Sequence, residues 1–257
     1  MEKKSPIKDK PLRYPGESLD KEILRLQDDM LFKYILYAVF FLCVACLEWL
    51  RFIINSSPNP WMYTAVALAV TGYTAIKVVK MKKQERLLRL GRDGERAVGE
   101  YLEKLRANGY AVFHDIIGDD FNIDHVILAP TGIFTIETKT HSKPARGKPE
   151  VLFDGEKVLI NGFEVGRNPL AQGRAQASWL SQILEESTGK SFRVQSVIVY
   201  PGWFVESTAS GKKNDVWVLN PKALPAYIEN AKGKLIPADI HLISFHLSRF
   251  IRASVLE

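Results

Sequence analysis

"IDHVILAPTGIFTIETKT", residues 123–140, reads as two apolar strands joined by a tight turn, yet it carries Asp124, Glu137 and Lys139. The turn decides where those charges go. Residues 129–132, "APTG", suit a type I turn with Pro130 second and Gly132 fourth. Leu128 then pairs with Ile133, and counting outward sets Asp124 opposite Glu137. Opposed residues share a sheet face, with Cβ atoms ~4.5–5.5 Å apart. The two-residue strand period also puts Ile133, Thr135, Glu137 and Lys139 on one face, and Ile123, Ile127, Phe134 and Ile136 on an apolar opposite face. A one-residue slip would scatter the charges.

Two carboxylates at that spacing repel unless a cation lies between them or one takes a proton. A hard divalent ion, Mg²⁺ or Mn²⁺, matches such oxygen ligands and retains waters that can react. Lys139 beside it is placed to orient or deprotonate an attacking water and to steady charge developing on a phosphate. The pattern suits phosphodiester hydrolysis. The same residues also read as a surface salt bridge, Glu137 with Lys139, beside an edge-strand Asp124, and the pattern alone leaves both open.

With 257 residues, 46% of them hydrophobic, the chain has ample material for a core. Its net charge of +6 is concentrated at one end: residues 1–92 hold 16 Lys+Arg against 9 Asp+Glu, the remainder 19 against 20. An overall basic balance is therefore poor support for nucleic-acid binding here. The basic residues flank two apolar runs, residues 34–47 (extending to 54) and 61–76, each a little short of the ~20 residues that cross a bilayer comfortably. Trp49, Trp61, Tyr63 and Lys77 suit the interface. The expectation is a transmembrane helical hairpin, residues 31–80, the competing reading being two buried helices of a soluble bundle. Lys3, Lys4, Lys8, Lys10, Arg13, Lys21, Arg25 and Lys33 precede it; Lys77, Lys80, Lys82, Lys83, Arg86, Arg89 and Arg92 follow it. The positive-inside rule then places both ends in the cytoplasm, with only the turn at 55–59 outside. Residues 1–30 form a basic cytoplasmic segment, 81–92 a basic linker and 93–257 a soluble α/β domain. Cys43 and Cys46, inside the first apolar run, read as small buried hydrophobes.

In the soluble part, residues 93–108 carry helical periodicity and stop at Gly109. Strand-like runs follow at 111–117, 123–128 and 133–140, and Asp-Gly and Asn-Gly pairs within 151–165 indicate two small hairpins. Asn168 and Pro169 open a helix to about Ser187. Residues 192–201 and 215–219 look like strands, 221–231 and 238–252 like helices.

The segments "GRDGERAVGEYL", "FNIDHVIL", "GIFTIETKT" and "NPLAQ" resemble a NERD (nuclease-related) domain of the PD-(D/E)xK nuclease superfamily, over about residues 91–199. Ile-Asp-His followed by Gly-(x)n-Glu-x-Lys is the most specific part. The resemblance implies a restriction-endonuclease-like αβββαβ core, the element order already read from periodicity. It also implies a metal-dependent nuclease, Mg²⁺ or Mn²⁺ held by Asp124, Glu137 and Glu95, and Lys139 assisting catalysis. Gln172 of "NPLAQ" matches a further position of the family's site, on the inward helix face with Gln176, Trp179, Leu180 and Ile183. The superfamily's Pro before the Asp is Ile123 here, as in the Ile-Asp-His form of NERD domains.

Asn122 shares a face with Asp124, and Lys143, Arg146 and Lys148 form a basic loop suited to phosphate, so these four are candidate substrate contacts. His125 reads as a satisfied core histidine on the opposite face, His114 and Asp115 as a pair without a third partner, and Asp119 and Asp120 as loop charges. The partners implied are nucleic acid, DNA ahead of RNA, the lipid bilayer and a second copy of the chain. The rival reading is a non-catalytic nucleic-acid- or protein-binding membrane scaffold that keeps the nuclease fold.

Overall fold

Pro130 and Thr131 alone connect the two central strands, with Leu128 against Ile133 and Ala129 against Gly132, the register expected from the turn. The C-terminal segment fixes that turn: Thr131 Oγ1 donates to the Ile228 carbonyl at 2.7 Å, and the Leu235 N–H donates to the Pro130 carbonyl at 2.8 Å. This computed structural model describes residues 12–55, 59–118, 121–143, 148–164 and 168–253. Lys3, Lys4, Lys8, Lys10, Asp119, Asp120 and Arg146 lie outside the described residues, as do 56–58 of the hairpin turn.

The chain forms two compact units, Met1–Glu17 with Gly91–Glu257, and Ser18–Leu90. Its helices are α1 (Glu17–Asp29), α2 (Leu36–Ile53), α3 (Pro60–Glu103), α4 (Pro169–Thr188), α5 (Leu224–Glu229) and α6 (Pro237–Ala253). Its strands are β1 (Ala111–Ile117), β2 (Asn122–Ala129), β3 (Gly132–Thr138), β4 (Glu150–Phe153), β5 (Val158–Ile160), β6 (Phe163–Glu164), β7 (Val194–Val199), β8 (Phe204–Ser207) and β9 (Val216–Leu219).

In the first unit the main sheet runs β1-β2-β3-β7-β9, antiparallel through β3 and parallel beyond it. Both faces are covered, as a sheet with parallel members requires. Val98 and Leu102 of α3, with Leu224 and Ile228 of α5, pack on one face against Ile127, Phe134, Ile136 and Val197. Leu180 and Leu184 of α4, with Ile243, Leu247 and Ile251 of α6, pack on the other against Phe113, Val126, Leu128 and Ile133. The expected small hairpins are β4, β5 and β6, the Asn161–Gly162 turn holding φ of 48° and 84°. They extend into a second sheet, β6-β5-β4-β8, whose last strand, from the stretch after Pro201, had no sequence signal of its own.

Strand alternation breaks at Asp115, a non-glycine residue at φ 51°. Beyond it Ile116 pairs with Ile123, and both join the α4–α6 side of the core. Ile123 therefore does not share a face with Ile127, as strict alternation had implied. Asp115 is held by Arg13, whose Nε and Nη2 lie 2.8 and 2.5 Å from Oδ2. Both side chains are almost fully buried, and Pro15 follows into the notch over Gly99, where a Cβ would come within 2.3 Å of the proline ring. Residues 12–17 are thus built into the α/β unit across 102 positions of sequence rather than belonging to a separate basic segment.

The helix that enters the second unit begins at Glu17, before the apolar run, and passes through a π-helical turn at Met30–Ile35 into α2. On the other arm α3 is continuous from Pro60, so residues 81–92 are helix interior and no new helix starts at Asp93. The linker sequence is rich in Lys, Arg, Glu and Leu, good helix formers, and Glu85 pairs with Arg89 four residues on at 2.6 Å. The arms meet through Trp49 Nε1 donating to Thr64 Oγ1 at 2.9 Å and Gln27 Nε2 donating to Glu85 at 2.7 Å. Ala38, Ala45 and Ala67 are buried, while Leu36, Phe40, Leu47, Trp61, Leu68 and Ile76 project outward. Two helices are thus long and apolar enough to cross a membrane. Cys43 and Cys46 are free thiols on the exposed surface of α2, not buried as expected, because the helical period turns Ala45 inward between them.

Removing Arg13 takes a buried ion-pair partner from the buried Asp115 carboxylate. Arg13→Ala in the full chain is expected to cost about 3–5 kcal/mol, read as a lower denaturant midpoint of the α/β unit by near-UV circular dichroism.

Candidate functional site

Glu137 lies near the end of β3 with 5% of its surface exposed, and a buried carboxylate must be paired. Its Oε1 accepts from Lys139 Nζ at 2.6 Å and from Gln172 Nε2 at 2.7 Å; its Oε2 accepts from Gln176 Nε2 at 2.5 Å. Lys139 Nζ also donates to Gln172 Oε1 at 2.8 Å, closing a ring of three side chains. Gln176 Nε2 reaches in addition the Asn122 carbonyl at 2.8 Å, tying α4 to β2. Gln172 and Gln176 are one helical turn apart and so share a face. Sequence reading put both on the inward face but gave a site role to Gln172 alone.

Local sequence sets the helix that delivers them. Asn168 caps α4, its Oδ1 accepting from the Leu170 N–H at 2.9 Å, and Pro169 occupies the first turn. Gly173 then lets α4 sit directly on β7: a Cβ there would lie 2.4 Å from Ser196 Oγ. Lys139 is just past β3, but its N–H still donates to the Val199 carbonyl at 2.9 Å, so its backbone stays in line with the sheet.

Asp124 sits one position beyond the His125–Ile136 pair, level with Glu137 on the neighbouring strand. There its Oδ2 accepts the Thr138 N–H at 2.6 Å. Burial, then the charges of Glu137 and Glu95, push its carboxyl well above the usual range, against the pull of Thr138 and Lys139. Glu95 reaches the same neighbourhood from α3. Burial first, then Asp115 and Glu137, raise its pKa to about 8, with Lys139 opposing. The helix comes this close because residue 94 is glycine: a Cβ there would fall 1.9 Å from Thr140 Oγ1. Asp115 is level with Asp124 on β1, between the His114–His125 and Ile116–Ile123 pairs, so acidic residues occupy one row across β1, β2 and β3. That row had a sequence signal, an acid at the matching position of each strand, but only with the β1–β2 register in hand.

The histidines lie elsewhere. His125 is fully buried and burial holds its pKa well below normal, as a core histidine. His114 does have further partners, contrary to expectation: its Nδ1 is 2.9 Å from His125 Nδ1 and its Nε2 is 2.6 Å from Glu103 Oε1. A carboxylate only accepts, so His114 donates from Nε2, His125 donates from Nδ1, and His125 Nε2 is left to accept from Thr138 Oγ1 at 3.4 Å. Of the candidate substrate contacts, Asn122 is half-buried beside the cluster, while Lys143 and Lys148 are exposed.

Among the described residues no group of three or more His, Cys, Asp and Glu side chains is gathered as a ready metal cage. The donor types nonetheless suit a hard divalent ion: Glu137 pairs directly with Lys139, and Asp124 and Glu95 feel the charges of Glu137 and Lys139, burial first and then the neighbouring carboxylates raising the pKa of both. Size alone is no guide to this site. A cavity of ≈ 700 Å³ bounded by Phe134, Trp217, Arg193 and Lys232 lies toward the opposite ends of β3 and β9 and contains none of these residues.

Residues 90–201 match the family model of the NERD, nuclease-related, domain, and the match takes in Glu95, Asp115, Asp124, Glu137, Lys139, Gln172 and Gln176. Over 56 residues the chain is 39% identical to an uncharacterized protein of Bacillus anthracis, covering 20% of this chain and 26% of that protein. No solved structure matches the chain.

Two consequences are measurable. Gln176→Leu strips a donor from buried Glu137 and from the Asn122 carbonyl, for an expected loss of about 1–3 kcal/mol in denaturant unfolding. Glu95 has a folded pKa, about 8, above its ordinary value of 4.5, so the folded state holds an extra proton between the two. Its contribution to stability is full below pH 4.5 and is lost as pH rises through about 8. In metal-free buffer the melting temperature should decline across that window, and Glu95→Gln should flatten the decline.

Proposed function

We propose that this protein is a membrane-anchored, metal-dependent nuclease of the PD-(D/E)xK type, hydrolysing phosphodiester bonds of nucleic acid at the cytoplasmic face. The observation that carries the reading is the Glu137 cluster: a buried carboxylate holding Lys139 and Gln172 beside Asp124 and Glu95, inside a nuclease-related domain. Asp124 and Glu137, with Glu95, are the residues that would hold Mg²⁺ or Mn²⁺. Such an ion supplies an activated water and neutralises phosphate charge. Gln172 and Glu137 together orient the Lys139 ammonium, which then meets the developing phosphoryl charge without reorganising. Gln176 holds Glu137 in place. DNA is the preferred substrate over RNA on the strength of the family resemblance alone.

The anchoring half of the proposal rests on the outward-facing apolar side chains of the hairpin, which a soluble bundle would bury. Residues 12–17 and 91–253 pack into one unit, through Arg13 and Asp115 among others, and a single folded unit lies on one side of a bilayer. The intervening segment therefore crosses an even number of times, consistent with a hairpin and with both flanks in the cytoplasm by their positive charge. One observation favours a second reading, a binding scaffold that keeps the fold without the chemistry: both oxygens of Glu137 are already taken by amide and ammonium donors.

The test is cleavage of labelled DNA and RNA by the detergent-solubilised full chain with Mg²⁺ or Mn²⁺. Asp124→Ala and Lys139→Ala are each expected to lower the rate about 10²- to 10³-fold. Full activity in both variants would move the site elsewhere, and nucleic-acid binding indifferent to chelator and to both substitutions, without cleavage, would establish the scaffold.

A further inference from the structure

The cavity of ≈ 700 Å³ at the far end of the main sheet falls within the roughly 300–1,000 Å³ of pockets that take a small organic ligand, and the carboxylate cluster does not reach it. It lies where the three parallel strands β3, β7 and β9 begin, whereas Glu137 and Lys139 lie at the other end of β3. Lys139 is five residues beyond Phe134, roughly 17 Å of extended chain. The cavity walls are fixed in place. The segment after α5 forms one of them, bound to the β2–β3 turn by the Leu235 N–H donating to the Pro130 carbonyl at 2.8 Å and Thr131 Oγ1 donating to the Ile228 carbonyl at 2.7 Å. Gly233 sits so close to that turn that a Cβ would stand 2.3 Å from the Thr131 carbonyl oxygen. The floor is aromatic. The half-buried Trp217 indole lies against the buried Phe134 ring, centroids 5.7 Å apart and planes at 36°, and Tyr227 meets it edge-on at 5.3 Å.

The rim is cationic. Arg193, Lys213 and Lys232 border the cavity and are exposed, so a ligand reaches them from solvent. Among the described lining residues the carboxylate is Asp215, and Arg174 already grips it through Nε and Nη2 at 2.8 and 2.7 Å. Residues 93–257 together are near neutral, 19 Lys+Arg against 20 Asp+Glu, so this concentration of positive charge is local. Gln195 adds an amide at the cavity edge, its Nε2 held by the Ser196 and Asp215 carbonyls at 3.0 and 2.5 Å. An indole beside several exposed cations suits a molecule that is flat and aromatic at one end and anionic at the other. Nucleobases stack on such rings whatever their identity, and guanidinium and ammonium groups donate to phosphate oxygens. Phosphate alone would leave the indole unused, and a wholly apolar ligand would strip water from the cations and give nothing back. We propose that this cavity binds a nucleotide, its base stacked on Trp217 and its phosphate held by Arg193, Lys213 and Lys232. A free nucleotide and an unpaired nucleotide of a DNA or RNA strand share that chemistry, and the site stands whether or not the carboxylate cluster cleaves.

Binding is measured on the detergent-solubilised full chain carrying Lys139→Ala, in chelator, so that no cleavage consumes the probes. The probes are a fluorescent ribose-labelled ATP and a short fluorescein-labelled single strand of DNA, both read by anisotropy. At least one is expected to bind saturably with a Kd below about 1 mM. Arg193→Glu combined with Lys232→Glu, both exposed positions, should leave the melting temperature unchanged and weaken that binding at least tenfold. Trp217→Leu should weaken it about 5- to 150-fold, the loss of one base stack. Trp217 also packs against the core. If that variant does not fold, the base contact is read by competition instead, where AMP should displace the probe at least ten times better than inorganic phosphate. Tighter binding of the DNA strand identifies a segment of nucleic acid as the occupant, and tighter binding of ATP identifies a free nucleotide. No saturable binding of either probe by about 1 mM, or binding that the paired charge reversal leaves unchanged, overturns the proposal. Phosphate competing as well as AMP overturns it too, because the base then contributes nothing.

Discussion

A carboxylate placed inside a protein has to be met by donors, and Glu137 is met by three from two directions. Lys139 comes from just past the end of the same strand and the two glutamines from α4, so this one group couples the end of β3 to the helix that packs on it. The coupling extends to β2, because Gln176 divides its amide between Glu137 and the Asn122 carbonyl. An apolar residue at 137 would remove the need for all of these contacts, and α4 would be located by packing alone. The polar network makes the relative placement of strand and helix specific, and the same network orients Lys139.

Both helices that contribute to the cluster approach through a glycine beside the contributing residue. Gly94 precedes Glu95 and Gly173 follows Gln172; in each case a Cβ would collide with a hydroxyl of the sheet side, Thr140 or Ser196. Close approach buries acidic groups near one another, and burial first, then their mutual repulsion, raises the pKa values of Glu95 and Asp124. Arg13 offsets the fourth acid of the neighbourhood, Asp115, from a segment that precedes the hairpin. The site therefore draws on residues from both ends of the intervening helical unit, and its charge balance depends on their packing together.

The helical unit obeys a different solvent logic. Its arms touch through alanines and a few hydrogen bonds, while the large apolar side chains face outward. That arrangement fits the membrane hairpin proposed here, since small residues allow close helix contact and, in lipid, nothing would be gained by hiding leucine. Cys43 and Cys46 belong to that outward surface.

Much of the site was legible in the chain itself. The Pro130–Thr131 connection determined the β2–β3 register and with it the opposition of Asp124 and Glu137, because a two-residue turn allows few alternatives. Asn168 and Pro169 marked the start of α4, and helical period put Gln172 and Gln176 on one face. These are local constraints, acting over a handful of residues. What only the tertiary structure decided is long-range: Arg13 on Asp115, the break in alternation that turns Ile123 to the α4 side, and Gln176 as a partner of Glu137. The continuity of α3 through residues 81–92 belongs with them, because whether a charged helical stretch stays helical depends on what either end is packed into. Each turns on which surfaces come together, and burial, the quantity that makes a lone charge or hydroxyl costly, does not exist until they do.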